Sequence, residues 1–331
     1  MQELRKRIEH IHLKNLDSMM LLNLAVKDPN FFYFANSNAD GIFFLDFMKK
    51  PLIFASEMEY ARQKKSWVKN VIKTEKFEDI SKFLNGRIGI NKKGMTASAY
   101  EKLKKIGRQN NVKFVDISEQ LENARMIKTQ YEIQCIKRAC NITKKVLEKT
   151  QSEINTKITE IELKGLIELL IHKLGAEPAF PPIVASGKNT AIPHHEPGNA
   201  KLNGAILIDF GVRYRGYVSD ITRTIGSKYE NLIENVLTSI ENKIMPGIKA
   251  KKIDLLSRKL LGKHSKHFIT SLGHGIGIDV HEKPYISRSS EDIFKENMVF
   301  TLEPGIYVKN GIRIENDYLL AKKGLLNLTD F

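Results

Sequence analysis

The chain has 331 residues, 42% hydrophobic and 27% charged, with a formal net charge of +15. That length accommodates two domains, and that composition buries a sizeable core and excludes a disordered or fibrous chain. The basic residues fall in short scattered clusters (Lys49-Lys50, Arg62 to Lys65, Lys102 to Lys105, Lys249 to Lys252) without interleaved aromatics, which reads as a solvated surface and argues against a nucleic-acid partner.

Residues 2 to 27 alternate helical signals with short apolar runs. Strands are expected over Phe31 to Phe34, Gly41 to Asp46 and Pro51 to Ala55, with turn residues Asn36 to Asp40 between the first two. Ser56 to Lys64 reads as a helix, with Ser56 and Glu59 at capping-box spacing. Val68 to Ile72, Arg87 to Asn91 and Val112 to Asp116 are further strands, and Phe77 to Leu84 and Thr96 to Gly107 further helices. This alternation predicts an α/β domain over residues 1–122, without metal-ligand spacing and with Trp67 as a packing residue. Ser118 to Glu153 has apolar residues at helical spacing (Ile133, Ile136, Ala139, Ile142, Val146) and is expected to be one long helical region opening a second domain, 123–331. Helices follow over 159–174, 225–245 and 250–263. Strands are expected at Ile183 to Ser186, Ile206 to Asp209, Gly216 to Thr222, Met298 to Leu302 and Gly311 to Glu315. Cys135 and Cys140, five apart in a helical pattern, are not expected to pair. The amino terminus has no apolar signal core, and no run approaches the roughly 18 apolar residues of a membrane span, so a cytoplasmic location is expected.

The chemistry gathers in the second half. Ile206 to Thr224 reads as a hairpin turning over Tyr214-Arg215, which places Asp209 opposite Asp220. Two like charges facing each other imply a cation between them. SLGHGIGIDVHE sets His274 among Gly273, Gly275 and Gly277 and brings His281 seven residues later. TLEPGIY ends an apolar strand on Glu303. GIRIEND puts Arg313 and Glu315 on one strand face. Four carboxylates and an imidazole carry enough charge for two divalent ions, with oxygen-rich ligation favouring Mn²⁺, Fe²⁺, Co²⁺ or Zn²⁺ over a thiolate site.

These residues, in this order and with this spacing of Asp209 and Asp220, resemble the pita-bread metallopeptidases: methionine aminopeptidase, aminopeptidase P and prolidase. The preceding α/β domain resembles the amino-terminal creatinase-like domain of prolidase and aminopeptidase P. The resemblance implies an α+β chain of two domains, the second a curved, mainly antiparallel sheet covered by helices. It implies hydrolysis of an Xaa-Pro bond by a hydroxide shared between two divalent ions, Mn²⁺ or Co²⁺ foremost with Zn²⁺ or Fe²⁺ as alternatives. Asp209, Asp220, His274, Glu303 and Glu315 would be the metal ligands, Asp220 and Glu315 bridging. Glu303 would also carry the proton to the leaving amine. His281 and His194 would face the substrate; on a strand His194 and His195 would point oppositely, so only one of them can, and the resemblance favours His194. Arg313 would meet the substrate's carboxylate end and Phe180 would wall the proline ring. A homodimer is implied as well. Thr270 stands where many proline-specific members carry a further histidine. Other outcomes are a methionine aminopeptidase-like activity, a creatinase-type hydrolase without metals, or a non-catalytic binding protein on the same fold.

Overall fold

The computed structural model describes residues 2–11 and 13–331, and the chain divides into two units, Met1–Arg125 and Met126–Phe331. In the first, a six-stranded mixed sheet runs in the order Asn70–Lys73, Leu52–Ala55, Gly41–Asp46, Ser18–Asn23, Arg87–Ile90, Lys113–Asp116. Its inner strand, Ser18–Asn23, is buried at every position. It therefore shows no polar alternation, and sequence pattern leaves it among undifferentiated apolar runs. Phe31 to Phe34, expected as a strand, belongs to the helix Pro29–Ala35. The Asp28 side chain accepts from the Asn30 N–H at 2.9 Å and Pro29 fills the first turn, and this capping overrides the β preference of the aromatic run. Ser56 does sit at the start of the helix Glu57–Gln63, but its side chain makes no capping hydrogen bond.

The second unit explains why the candidate ligands converge. One antiparallel sheet contains Ile183–Ser186, Ile206–Phe210 and Ile221–Ile225. A second, five-stranded and antiparallel, runs Glu282–Ile286, Gly273–Gly275, Val299–Leu302, Asn316–Ala321, Gly324–Asn327. An isolated bridge between Thr222 and Glu315 joins them. Asp209 lies in the first sheet and His274 in the second, while Glu303 follows Leu302 and Glu315 precedes Asn316.

Each sheet is backed by its own helices. Ile142 and Val146 of Gln130–Glu153, with Leu163 and Ile167 of Glu160–Lys173, pack on Val184, Ile208 and Phe210. Ile233 and Val236 of Glu230–Glu241, with Ile253 of Ala250–Leu261, join the core of Phe300, Leu302 and Tyr318. Burying such side chains contributes roughly 1.5–3 kcal/mol each, so the strands carrying the ligands are anchored from behind. The expected continuous helix from Ser118 to Glu153 breaks into Ser118–Met126 and Gln130–Glu153, because Thr129 and Glu132 form a capping box that starts the second helix anew. Cys135 and Cys140 are free and buried. Among the described residues, no helix is long and apolar enough to cross a membrane.

Candidate metal centre

The hairpin forms with its turn one residue later than expected. Tyr214 pairs with Tyr217, so Arg215 and Gly216 make the turn, both at positive φ (50° and 82°). A two-residue turn of this kind matches strand twist and favours glycine second. The shift moves the ladder: Thr222, not Asp220, lies opposite Asp209. Asp220 sits in a short break between Tyr217–Val218 and Ile221–Ile225. The register is the same on both sides of the break, which puts Asp220 across from Gly211 and diagonal to Asp209, still on its face.

Ligand atoms of Asp220, His274 and Glu315 all lie within 4.8 Å of one another. His274 Nε2 is 3.8 Å from Asp220 Oδ2 and 3.4 Å from Glu303 Oε1. Asp209 joins through Arg313, whose Nη2 donates to Asp209 Oδ2 at 2.5 Å. The Thr222 hydroxyl completes the chain, accepting from Arg313 Nε at 2.8 Å and donating to Glu315 Oε2 at 2.7 Å. Two glycines let the His274 strand fit. A Cβ on Gly273 would lie 2.1 Å from the Thr301 carbonyl oxygen, and one on Gly275 would lie 2.1 Å from that of Lys283.

On the protein's own charges these acids resist ionisation. Burial, reinforced by the charge of Glu315, holds Asp209 up at about 7 against the pull of Arg313. Burial and the charges of Glu315, Asp209, Asp317 and Glu303 push Asp220 well above the usual carboxylate range, and burial also raises Glu303 and Glu315. Burial, then the neighbouring His281, lowers His274 to about 3, so its imidazole is neutral and free to coordinate. Among the described residues, Asp209 Oδ1, Asp220 Oδ1 and Glu315 Oε1 are buried without a hydrogen-bond partner. Unsatisfied buried carboxylate oxygens converging with a neutral imidazole fit a divalent cation.

All five expected ligands line one cavity of about 1160 Å³, together with His194, His281, Phe180 and Thr270. The His281 ring lies 4.2 Å from that of His274, edge to face. His194 lines the same cavity. His194 and His195 are not on a strand as expected: Pro193-His194 form a turn, and His195 lines the same cavity while its Nε2 lies 2.8 Å from Glu160 Oε2. Arg313, expected at a substrate carboxylate, is 3% exposed and engaged by Asp209, Thr222, the Pro193 carbonyl and the Tyr307 hydroxyl. The Thr270 hydroxyl is 3.3 Å from that same Tyr307 oxygen.

Residues 134–322 match the model of metallopeptidase family M24, and residues 2–127 match the creatinase/prolidase N-terminal domain. The chain belongs to metallopeptidase family M24. It is 32% identical to an Xaa-Pro dipeptidase of Pyrococcus horikoshii, over 99% of this chain and 97% of that one. Its fold superposes on the prolidase of Pyrococcus horikoshii OT3 with a TM-score of 0.86 at 31% identity, covering 100% and 98% of the two chains. An X-Pro aminopeptidase of Thermotoga maritima gives 0.89 at 27% identity, covering 98% of each. Family membership carries a requirement for divalent metal ions and confirms the two-domain, pita-bread architecture expected from the sequence.

The M24 site has a support that sequence reasoning missed. Asp317, fully buried, accepts the Asp220 N–H on Oδ2 at 3.0 Å, and the Cys140 thiol lies 3.5 Å from the same oxygen. Nearby, the Thr143 and Ser219 hydroxyls meet at 2.6 Å. The long helix thus holds Asp220 from behind. The available signal was position: Asp317 follows Glu315 by two and so shares its strand face. Asp317→Ala is expected to weaken Mn²⁺ binding by roughly 10–100-fold, while Asp317→Asn, which keeps an acceptor for that N–H, loses less. Calorimetric titration checks this, and an alanine variant with wild-type affinity would remove Asp317 from the account.

Proposed function

We propose that this M24 metallopeptidase hydrolyses the peptide bond between an amino-terminal residue and proline, with two divalent cations held by Asp209, Asp220, His274, Glu303 and Glu315. The supporting observation is the convergence of those five side chains, three with unsatisfied buried oxygens, on one cavity. The names of the Pyrococcus and Thermotoga relatives supply the Xaa-Pro substrate class. Bound there, divalent cations would activate the attacking water and polarise the scissile carbonyl.

The chain's own residues do the rest. Glu303, largely buried and with its carboxyl raised, takes a proton and returns it to the leaving imino nitrogen. His194 and His281 stand at the cavity as donors to the carbonyl oxygen of the bond being cut. Phe180, Pro181, Pro182 and Val280 provide apolar wall for the proline ring and its neighbour. Arg313 lines the cavity and keeps Asp209 oriented and partly neutralised, which supports a scaffold role for it.

A substrate length series tests the proposal: Ala-Pro, Ala-Pro-Ala and Met-Ala-Ser, with Mn²⁺ or Co²⁺ added. Cleavage of the proline substrates, at least about 100-fold faster than Met-Ala-Ser, is expected. Failure of metal-loaded protein to cut either proline substrate would sink it.

A further inference from the structure

A buried polar knot in the second unit surrounds Glu160, the first residue of Glu160–Lys173. Its side chain is 1% exposed. Oε1 accepts from the Ser186 N–H at 2.8 Å, the Ser186 hydroxyl at 3.1 Å and Asn189 Nδ2 at 2.9 Å. Oε2 faces His195 Nε2 at 2.8 Å and accepts the Gly198 N–H at 3.4 Å. The main chain adds Glu160 N–H to Ala200 O and Ile161 N–H to Gly198 O, both 3.0 Å. One carboxylate therefore ties both ends of residues 186–198. Burial raises this carboxyl, but the hydrogen bonds from Asn189, His195, Ser186 and Gly198 outweigh it and leave it below the usual range, so it holds its charge and remains an acceptor.

Between those tied ends stands His194, at the cavity. Among the described residues, no side chain or backbone group hydrogen-bonds its ring, so its placement depends on its neighbours. On one side, the Pro193 carbonyl accepts from Arg313 Nη1 at 3.3 Å. On the other is the His195–Glu160 pair. Pro193 and His194 form a turn, and His195 follows it directly, so fixing the His195 ring on Glu160 fixes the end of the turn that carries His194.

We propose that Glu160 and His195 are positioning residues for the peptidase: their hydrogen bond locks residues 186–198 so that His194 is held over the metal-ligand cluster. The role of His194 toward substrate is taken from the proposed Xaa-Pro activity. A misplacement of about 1 Å in a substrate-facing group costs on the order of 100-fold in rate, and that is the loss at stake.

The test uses His195, because removing Glu160 leaves several buried donors unmatched and endangers folding. With Ala-Pro as substrate, His195→Leu is expected to lower kcat/KM by about 100-fold with unchanged Mn²⁺ content. His195→Gln, whose amide still donates to Glu160, is expected to recover most of the loss. Adding His195→Leu to His194→Ala should cost less than about twofold more, because the positioned group is already gone. Multiplicative losses in the double variant, or a glutamine variant as poor as the leucine one, would overturn the proposal. Should wild-type protein cleave no Xaa-Pro substrate, the activity assignment fails, and histidine-ring NMR then reads the clamp alone. His195 is expected as the Nε2–H tautomer with a slowly exchanging proton, and the His194 ring signal should move in His195→Leu but not in His195→Gln. The opposite tautomer, or an indifferent His194, would refute it.

Discussion

Asp220→Asn is expected to abolish metal-dependent hydrolysis, by about three orders of magnitude or more, while raising the melting temperature of the metal-stripped protein. Both halves follow from one environment. Asp220 is 4% exposed, and its Oδ1 has no hydrogen-bond partner among the described residues. Burial, then the charges of Glu315, Asp209, Asp317 and Glu303, raise its carboxyl. Asparagine keeps the shape and spares the fold the cost of this acid, which without metal must either take up a proton or be buried charged beside other carboxylates. On the order of 1–3 kcal/mol of stability should return at neutral pH when metal is absent. The same change takes a ligand from the group of Asp220, His274 and Glu315. In the proposed arrangement Asp220 serves both ions and Asp209 one, so Asp220→Asn should deplete both and Asp209→Asn chiefly one. Atomic spectroscopy counts the metals, and scanning calorimetry with and without chelator reads the stability. A metal-stripped Asp220→Asn protein less stable than wild type would show that Asp220 is structurally supported by something other than the cation.

Much of this site was legible in the chain, for a physical reason. Taken singly, an acid at a strand end is an ordinary turn or surface residue, but four of them with a glycine-flanked histidine, in this order along the chain, are distinctive. The details that escaped depend on register or on distant partners. Whether Asp220 or Thr222 faces Asp209 turns on a one-residue shift of the turn, decided by Gly216 taking the positive-φ position. Asp317 and Glu160 each look like an ordinary acid in sequence. Their roles exist only because tertiary packing brings Asp220, Ser186, Asn189 and His195 to them. Arg313 was placed on the right face beside Glu315, yet its engagement with Asp209, 104 residues away, has no local signature. In the first unit the fold class was legible, and the errors were local. Asp28-Pro29 marked a helix start that the aromatic run concealed, and the buried Ser18–Asn23 strand lacked the alternation that identifies half-exposed strands.

The metal-free protein should lose stability as pH rises from about 4 to about 7, and divalent metal should reverse the trend. In the folded chain Asp209 is raised from 3.8 to about 7, and Asp220, Glu303 and Glu315 are raised with it. A carboxyl whose pKa is higher folded than unfolded favours folding while it is protonated. That contribution is complete below the unfolded value and disappears as pH climbs through the folded one. For Asp209 alone the window runs from about pH 4 to about pH 7, and the loss is of the order of a few kcal/mol. Metal ions bind the ionised carboxylates, so binding near pH 6 must expel protons, and the stabilisation by metal must be larger at pH 7.5 than at pH 5.5. The surface charge of +15 adds its own pH dependence, but a variant carrying Asp209→Asn and Asp220→Asn shares that surface and lacks the two titrating groups. Calorimetric melting of both proteins in chelator at the two pH values isolates the cluster. Wild type should fall by more than the double variant. Mn²⁺ titration in buffers of different ionisation enthalpy should show net proton release for wild type. A wild-type curve parallel to that of the variant, with no protons released, would mean that these carboxylates are already ionised without metal and that the cavity is more solvated than its buried geometry implies.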